Sequence, residues 1–179
     1  MQYILPRFSS LIQYKHAMND TPDQTRPDRC ACCGRVNPWR HGPYSRKPDR
    51  DSDSGESLNP ILIQRYYCPG CEKTFSTLPE CVPPRRWYLW EVQQIILQLF
   101  VLGQSAYAIA KNSTPSYKTI SRWIARLQEQ LRLHKDTLGA RFDELSRTSG
   151  FSEFWQTCLK KMTLGYAMRL CHVTGVAIP

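Results

Sequence analysis

Two cysteine pairs dominate the chemistry open to this sequence. Cys30-Ala31-Cys32-Cys33-Gly34 and Cys68-Pro69-Gly70-Cys71 each contain a C-x-x-C knuckle. That spacing lets two thiolates reach one ion while nearby backbone amides turn toward the sulfurs. Two knuckles complete the tetrahedral sulfur cage that Zn2+ accepts, at ~2.3 Å per bond. Glycine follows the first pair and lies inside the second, where it eases a tight turn. The expected ligands are Cys30, Cys33, Cys68 and Cys71. Cys32 sits between the first two and competes only weakly, because adjacent Cys32 and Cys33 cannot form a knuckle. Four thiolates leave no open coordination position, so the metal is expected to be structural and the chain not an enzyme; no catalytic residue is assigned. A redox pair or unrelated thiols is the competing reading. Cys81, Cys158 and Cys171 read as small apolar residues. His41, in Trp39-Arg40-His41-Gly42, is near enough to replace a cysteine but reads better as a hairpin side chain, and His172 beside Cys171 is a weak metal signal.

A second constellation lies in residues 105–127, SAYAIAKNSTPSYKTISRWIARL. Ala110 is small enough to let one helix approach the next, residues 112–115 form a turn, and Ser116 suits an N-cap. Ile120, Trp123, Ile124 and Leu127 make one apolar stripe. Tyr117, Lys118, Ser121 and Arg122 fall on the other face, in the first turns, where a recognition helix offers side chains to base edges. Arg122 or Lys118 suits guanine, and Ser121 suits a base or a phosphate. Arg126, Arg85 and Arg86 add positive charge from the same segment, and Arg40 and Arg65 from the preceding strands. The competing reading is a helical bundle with a solvated basic face.

These groups need elements to hold them. Residues 39–45 and 61–67 read as strands of a long hairpin, the second rich in β-branched and aromatic residues. Between them, residues 46–60 (RKPDRDSDSGESLNP) form a polar, acidic loop, which should point away from a phosphate backbone. Residues 88–102 are a strong helix, with Leu89, Val92, Ile95, Ile96, Leu99 and Phe100 at three- and four-residue spacing and Gly103 as its stop. Helices at 105–111 and 116–132 follow, and the segments around 142–145 and 151–162 look helical. Residues 1–29 carry a short apolar start (Tyr3, Ile4, Leu5), a possible turn or two of helix, and a polar, proline-bearing linker. The expected fold is α+β: a small β-hairpin zinc ribbon, then an all-α helix-turn-helix bundle and a helical C-terminal segment. The expected divisions are an arm at 1–29, the ribbon at 30–80, the helix-turn-helix at 85–134 and an interaction or packing segment at 135–179. In that last segment Phe151, Phe154, Trp155, Leu159 and Met162 offer an apolar face for dimerisation or a partner, or simply for core packing. Trp87 and Trp90 read as packing residues rather than base-stacking ones.

Composition agrees with a folded, basic protein. Of 179 residues, 41% are hydrophobic and 11% aromatic, so global disorder is not expected. Lysine and arginine number 24 against 15 acidic residues, a net charge of +9 that favours a polyanionic partner. Between residues 84 and 134, seven basic residues face only Glu91 and Glu129, as phosphate contact requires. No apolar run approaches the ~20 residues that span a bilayer; the longest, residues 95–103, is interrupted by Gln98. The N-terminus lacks the apolar core of a secretion signal, because Pro6 and Arg7 interrupt it. A cytoplasmic, nucleoid-associated protein with reduced cysteines is therefore expected.

The order of these motifs resembles the N-terminal region of bacterial insertion-sequence transposases: Cys30 to Gly34 as C-x-x-C-G, Trp39 to Gly42 as W-x-H-G, then QRYYCPGCEKTF at 64–75, then the helix pair at 105–127. The resemblance covers about 100 residues, and the QRYYCPGCEKTFS stretch is its most specific part. It implies that ribbon and helix-turn-helix recognise terminal inverted repeats, or repress the element's own promoter. Two departures stand out. The segment between Cys33 and Cys68 is long, and the family's ribonuclease-H-like catalytic domain is missing. Asp136, Asp143, Glu144 and Glu153 read as helix-surface charges instead of a nuclease triad. The expectation is a sequence-specific DNA-binding protein of a mobile element, an accessory factor for transposition or recombination or a repressor. Its partners would be double-stranded DNA, a separate transposase or recombinase, and a second copy in a homodimer. An RNA target stays open, as does a truncated, inactive transposase. The alternative is an adaptor whose zinc ribbon recruits a protein without reading DNA.

Overall fold

The computed structural model describes residues 2–20, 22–48, 58–176 and 178. The central part of the acidic loop, including Asp49, Asp51, Asp53 and Glu56, lies outside the described residues. The chain is α+β and divides into two compact units, Met1–Leu89 and Trp90–Pro179.

The first unit is built on a four-stranded sheet in the order β1-β4-β3-β2. Its strands are β1 (Gln2–Ile4), β2 (Trp39–Arg46), β3 (Ile61–Cys68) and β4 (Lys73–Leu78). β2 and β3 form the expected antiparallel hairpin, Trp39 facing Tyr67 and Arg46 facing Ile61. The register shifts between Arg40 and Pro43, so β2 carries one extra residue there. Gly42, at φ 78, absorbs that bulge in a left-handed conformation that costs a residue without a Cβ little. β4 returns antiparallel to β3, and β1 joins the far edge parallel to β4.

Residues 1–29, expected as an arm with little structure, contribute both β1 and the ten-residue helix α1 (Leu11–Asp20), followed by a 3-10 turn at Pro22–Thr25. Ser10 starts α1: its hydroxyl accepts from the Gln13 N–H at 3.3 Å, and Gln13 stands where a capping box needs it. Leu11, Tyr14 and Ala17 are buried at helical spacing.

Side chains alternate along β3, so Ile61 and Ile63 point to one face of the sheet and Tyr66 and Cys68 to the other. Two small cores result. On the first face Ile61, Ile63, Leu78 and Val82 pack with Leu11 and Tyr14 of α1, and the Tyr14 hydroxyl donates to the Leu62 carbonyl at 2.8 Å. Burial raises the Tyr14 phenol above its ordinary range. On the second face Tyr66, Phe75, Cys30 and Cys68 cluster, with the Tyr66 and Phe75 rings 5.9 Å apart.

The second unit is helical: α2 (Trp90–Val101), α3 (Ala106–Lys111), α4 (Tyr117–Glu129), α5 (Leu131–Gly139), α6 (Asp143–Ser146), α7 (Phe151–Lys161) and α8 (Leu164–Val173). The helix expected at 116–132 is in fact two, broken at Gln130. No glycine or proline marks the break. Leu127, Leu131, His134 and Leu138 keep helical spacing straight through it, so tertiary packing of α5 decides the turn. Phe154, Trp155, Leu164 and Met168 are completely buried. Phe154 and Trp155 therefore serve the core of this unit and are unavailable for dimerisation. Trp90 is buried, whereas Trp87 is 61% exposed. No helix among the described residues is long and apolar enough to cross a membrane.

Candidate functional site

The loop after the 3-10 turn and the β3–β4 turn bring four sulfurs together. The Sγ atoms of Cys30, Cys33, Cys68 and Cys71 all lie within 4.8 Å of one another. Cys30 and Cys71 are 3.8 Å apart, and Cys33 and Cys68 are 3.5 Å apart. A tetrahedron with ~2.3 Å metal–sulfur bonds has an edge of about 3.8 Å, so the four atoms already stand near the corners of a metal cage. A disulfide would need about 2.05 Å, and no cysteine is in one.

The two knuckles share one backbone design. Gly34 N–H donates to the Cys30 carbonyl at 3.0 Å, and Glu72 N–H to the Cys68 carbonyl at 2.8 Å. Both closing residues are left-handed, Gly34 at φ 75 and Glu72 at φ 55. Sequence reasoning placed the second knuckle's special glycine at Gly70, but the left-handed position there is Glu72. Gly70 provides space instead: a Cβ on it would come within 2.6 Å of Arg35 Cδ from the first knuckle. Five backbone amides point at sulfur. Cys32 N–H donates to Cys30 at 3.3 Å, Arg35 to Cys33, Gly70 and Cys71 to Cys68, and Lys73 to Cys71. Such donors favour thiolates, the form that binds metal.

The sulfurs also compete for charge. Burial opposes the Cys68 thiolate, but the Cys71 and Gly70 amides and the Cys33 and Cys30 thiols outweigh it and bring its pKa down to about 6. Cys71 is pushed up to about 12, first by burial and then by its three sulfur neighbours, against the pull of the Lys73 amide. The Arg35 amide favours the Cys33 thiolate, yet Cys68 and burial leave that thiol above its ordinary value. A divalent ion would relieve this competition by favouring the thiolate form of all four sulfurs. The cluster fits a metal ion held by four thiolates. Cys32, His41 and His172 are outside the donor set. Cys158 and Cys171 are buried with pKa values pushed up to about 12 by burial, consistent with small apolar packing residues.

The basic residues distribute unevenly. On α4, Ile120, Trp123, Ile124 and Leu127 are buried as one stripe, while Tyr117, Lys118, Arg122 and Arg126 are exposed and Ser121 is half-buried. Lys118, Arg122 and Arg126 lie four residues apart, a single row on the solvent side. Arg122 folds back to donate to the Lys118 carbonyl at 3.2 Å. No described carboxylate pairs with these three cations; the ion pairs are Arg40–Asp23 and Lys161–Glu144. Ser116 occupies the N-cap by conformation, but its hydroxyl meets Thr119 Oγ1 rather than a backbone amide. Tyr107 of α3 stands edge-on to Tyr117, and Lys111 lies over the Tyr107 ring.

In the first unit, Arg40 pairs across the sheet with Tyr66, whereas Arg65 is one residue before Tyr66 and so projects from the opposite face. These two cannot lie side by side on one phosphate backbone. Arg40 is also bound to Asp23 at 2.6 Å. Arg85 is exposed and Arg86 half-buried. Sequence reasoning missed two further features. Trp39, 60% exposed, leans toward the Tyr67 ring at 6.2 Å, and His41 flanks the same ring. Arg46, at the end of β2, turns inward and donates to the carbonyls of Pro83 and Arg86 at 2.5 and 2.6 Å. Nothing in the sequence distinguishes Arg46 from its neighbours; Trp39 could have been found from strand alternation, since it shares a face with Tyr67.

Fold and site together define an α+β protein whose small sheet carries a four-cysteine cluster able to hold a metal ion, ahead of a helical unit in the chain. The chain belongs to the family described as a domain of unknown function, DUF6431, whose model matches residues 30–123. The match begins at the first clustered cysteine and ends within α4, so both knuckles and the helices up to Trp123 fall inside one family unit. No curated protein and no solved structure matches the chain.

Proposed function

We propose that this chain is a non-enzymatic, sequence-specific DNA-binding protein whose four-thiolate site holds Zn2+ as a structural ion. α3, the turn at 112–116 and α4 act as a helix-turn-helix, with α4 as the recognition helix. The observation that carries the reading is the α4 surface: three unpaired cations in one row, with the small Ser121 between them, backed by a fully buried apolar stripe. A rigid helix face with three cations and one carboxylate, Glu129 at its C-terminal end, matches the depth and charge of the major groove. Zinc is the preferred ion because an all-sulfur, closed tetrahedral set suits it and leaves no position for a substrate. The assignment to a mobile element, as accessory factor or repressor, rests on the order of motifs along the sequence.

Fluorescence anisotropy with duplex DNA from the gene's own neighbourhood tests the reading. Affinity should fall steeply with salt, following the phosphates neutralised. A flat salt response, with Arg122→Ala indistinguishable from the parent, would instead support the adaptor.

A further inference from the structure

One face of the sheet is covered over only part of its length. Ile61 and Ile63, at the start of β3, are buried there against Leu11 and Tyr14 of α1. The next two residues to point the same way are Arg65 and Tyr67, the first exposed and the second half-buried. Trp39 stands opposite Tyr67 in the register, its ring 6.2 Å away and 60% of its surface exposed. The bulge after Arg40 brings His41, also exposed, to 6.4 Å from the same Tyr67 ring. Three rings and a guanidinium thus share one stretch of strand surface.

A single exposed aromatic is ordinary, but three within reach of one another form a patch. Their planes are tilted by 48° and 36° rather than stacked, so the rings do not consume one another's faces. On β4, Thr74 faces Tyr67 and Ser76 faces Arg65, both too short to wall the rings in. Arg65 makes no ion pair among the described residues, whereas Arg40, on the reverse face, is bound to Asp23. Tyr67 directly precedes Cys68, so the patch lies at the cysteine-cluster end of β3, about 20 Å along the strand from Ile61.

An occupant of this patch must bring flat π faces together with negative charge. A peptide strand would add at the edge, but the edge strand β2 is interrupted here by its bulge and by Pro43, which has no N–H. A methylated lysine suits aromatic rings, yet Arg65 would repel it. A duplex keeps its base faces stacked inside and shows only edges in its grooves. Unpaired bases on a phosphate chain meet both demands, stacking on the rings and pairing with the guanidinium. We infer that this face binds single-stranded DNA, with Trp39, Tyr67 and His41 stacking bases and Arg65 meeting a phosphate. The stacking surface stands independently of α4; the choice of DNA over RNA rests on the DNA reading proposed above.

Fluorescence anisotropy of the metal-loaded full chain with labelled oligo-dT tests the inference. Binding should be saturable and should quench tryptophan emission. Trp39→Ala should weaken it about tenfold or more and remove most of the quenching, while Trp39→Phe, which keeps a ring, should lose about threefold. Arg65→Gln should lower the salt slope by about 0.7. Both positions are exposed, and metal content and circular dichroism equal to the parent's would show that each variant is folded. Trp39→Ala should spare duplex binding and Arg122→Ala should spare oligo-dT binding, so the two readings fail separately. No binding of oligo-dT, equal binding of an abasic strand of the same charge, or parental affinity in both Trp39→Ala and Arg65→Gln overturns the inference. Oligo-U bound more tightly than oligo-dT overturns the choice of DNA.

Discussion

Each sulfur in the cage has its own electrostatic position, and metal binding must reconcile them. The Cys71 and Gly70 amides favour the Cys68 thiolate, whereas burial and the neighbouring sulfurs hold Cys71 and Cys33 toward the thiol. Loading a divalent ion should therefore expel protons, and affinity should fall as pH drops. Chelator competition between pH 5.5 and 8 measures this; an affinity independent of pH would contradict it. Cys71→Ser should abolish stoichiometric metal, whereas Cys32→Ser should leave it intact, as elemental analysis of the two purified proteins would reveal. On α4, Arg122→Ala should cost about 1–3 kcal/mol for the cognate site and much less for unrelated DNA. The clustering of the four cysteines was legible from sequence because knuckle spacing is a covalent constraint. The roles of Glu72 and Arg46 were not, since a left-handed glutamate and an inward arginine are consequences of packing.

Among the elements, the hairpin and the α2–α4 helices were readable because each repeats an apolar side chain at its own period. The failures are equally instructive. β1 is three residues long and finds its partner, β4, some seventy residues away, beyond the reach of any local pattern. The break at Gln130 is invisible for the opposite reason: the apolar period runs through it undisturbed. α1, by contrast, carried a readable start signal in Ser10 and Gln13. Two substitutions probe these elements. Ile120→Ala removes a fully buried side chain from the α4 stripe and should cost about 2–5 kcal/mol in chemical denaturation. Gly42→Ala meets no neighbouring atom but forces a Cβ into φ 78, so it should cost about 1–2 kcal/mol through the backbone alone. A neutral Gly42→Ala would mean that the bulge relaxes.

The four-cysteine cluster lies in one compact unit and the basic row of α4 in the other. The two units divide at Leu89, where strand-like patterning gives way to helical patterning. Calorimetry should resolve the consequence. Stripping the ion should shift the unfolding of the sheet unit and leave the helical unit's transition nearly unmoved, so that most helical circular dichroism survives chelation. A single transition that moves as one would show the two units to be coupled.

β3 and β4 are anchored differently at their two ends: sulfurs and the Tyr66–Phe75 rings at one, Leu11 and Tyr14 on the reverse side at the other. The sheet should therefore behave like a zipper with two unlike stops. Once the ion is gone, deuterium should enter first at the amides around residues 66–75 and last at those around 61–63, where the tyrosine hydroxyl still holds the Leu62 carbonyl. Loss of metal would then fray the strands from one tip and leave the far end standing.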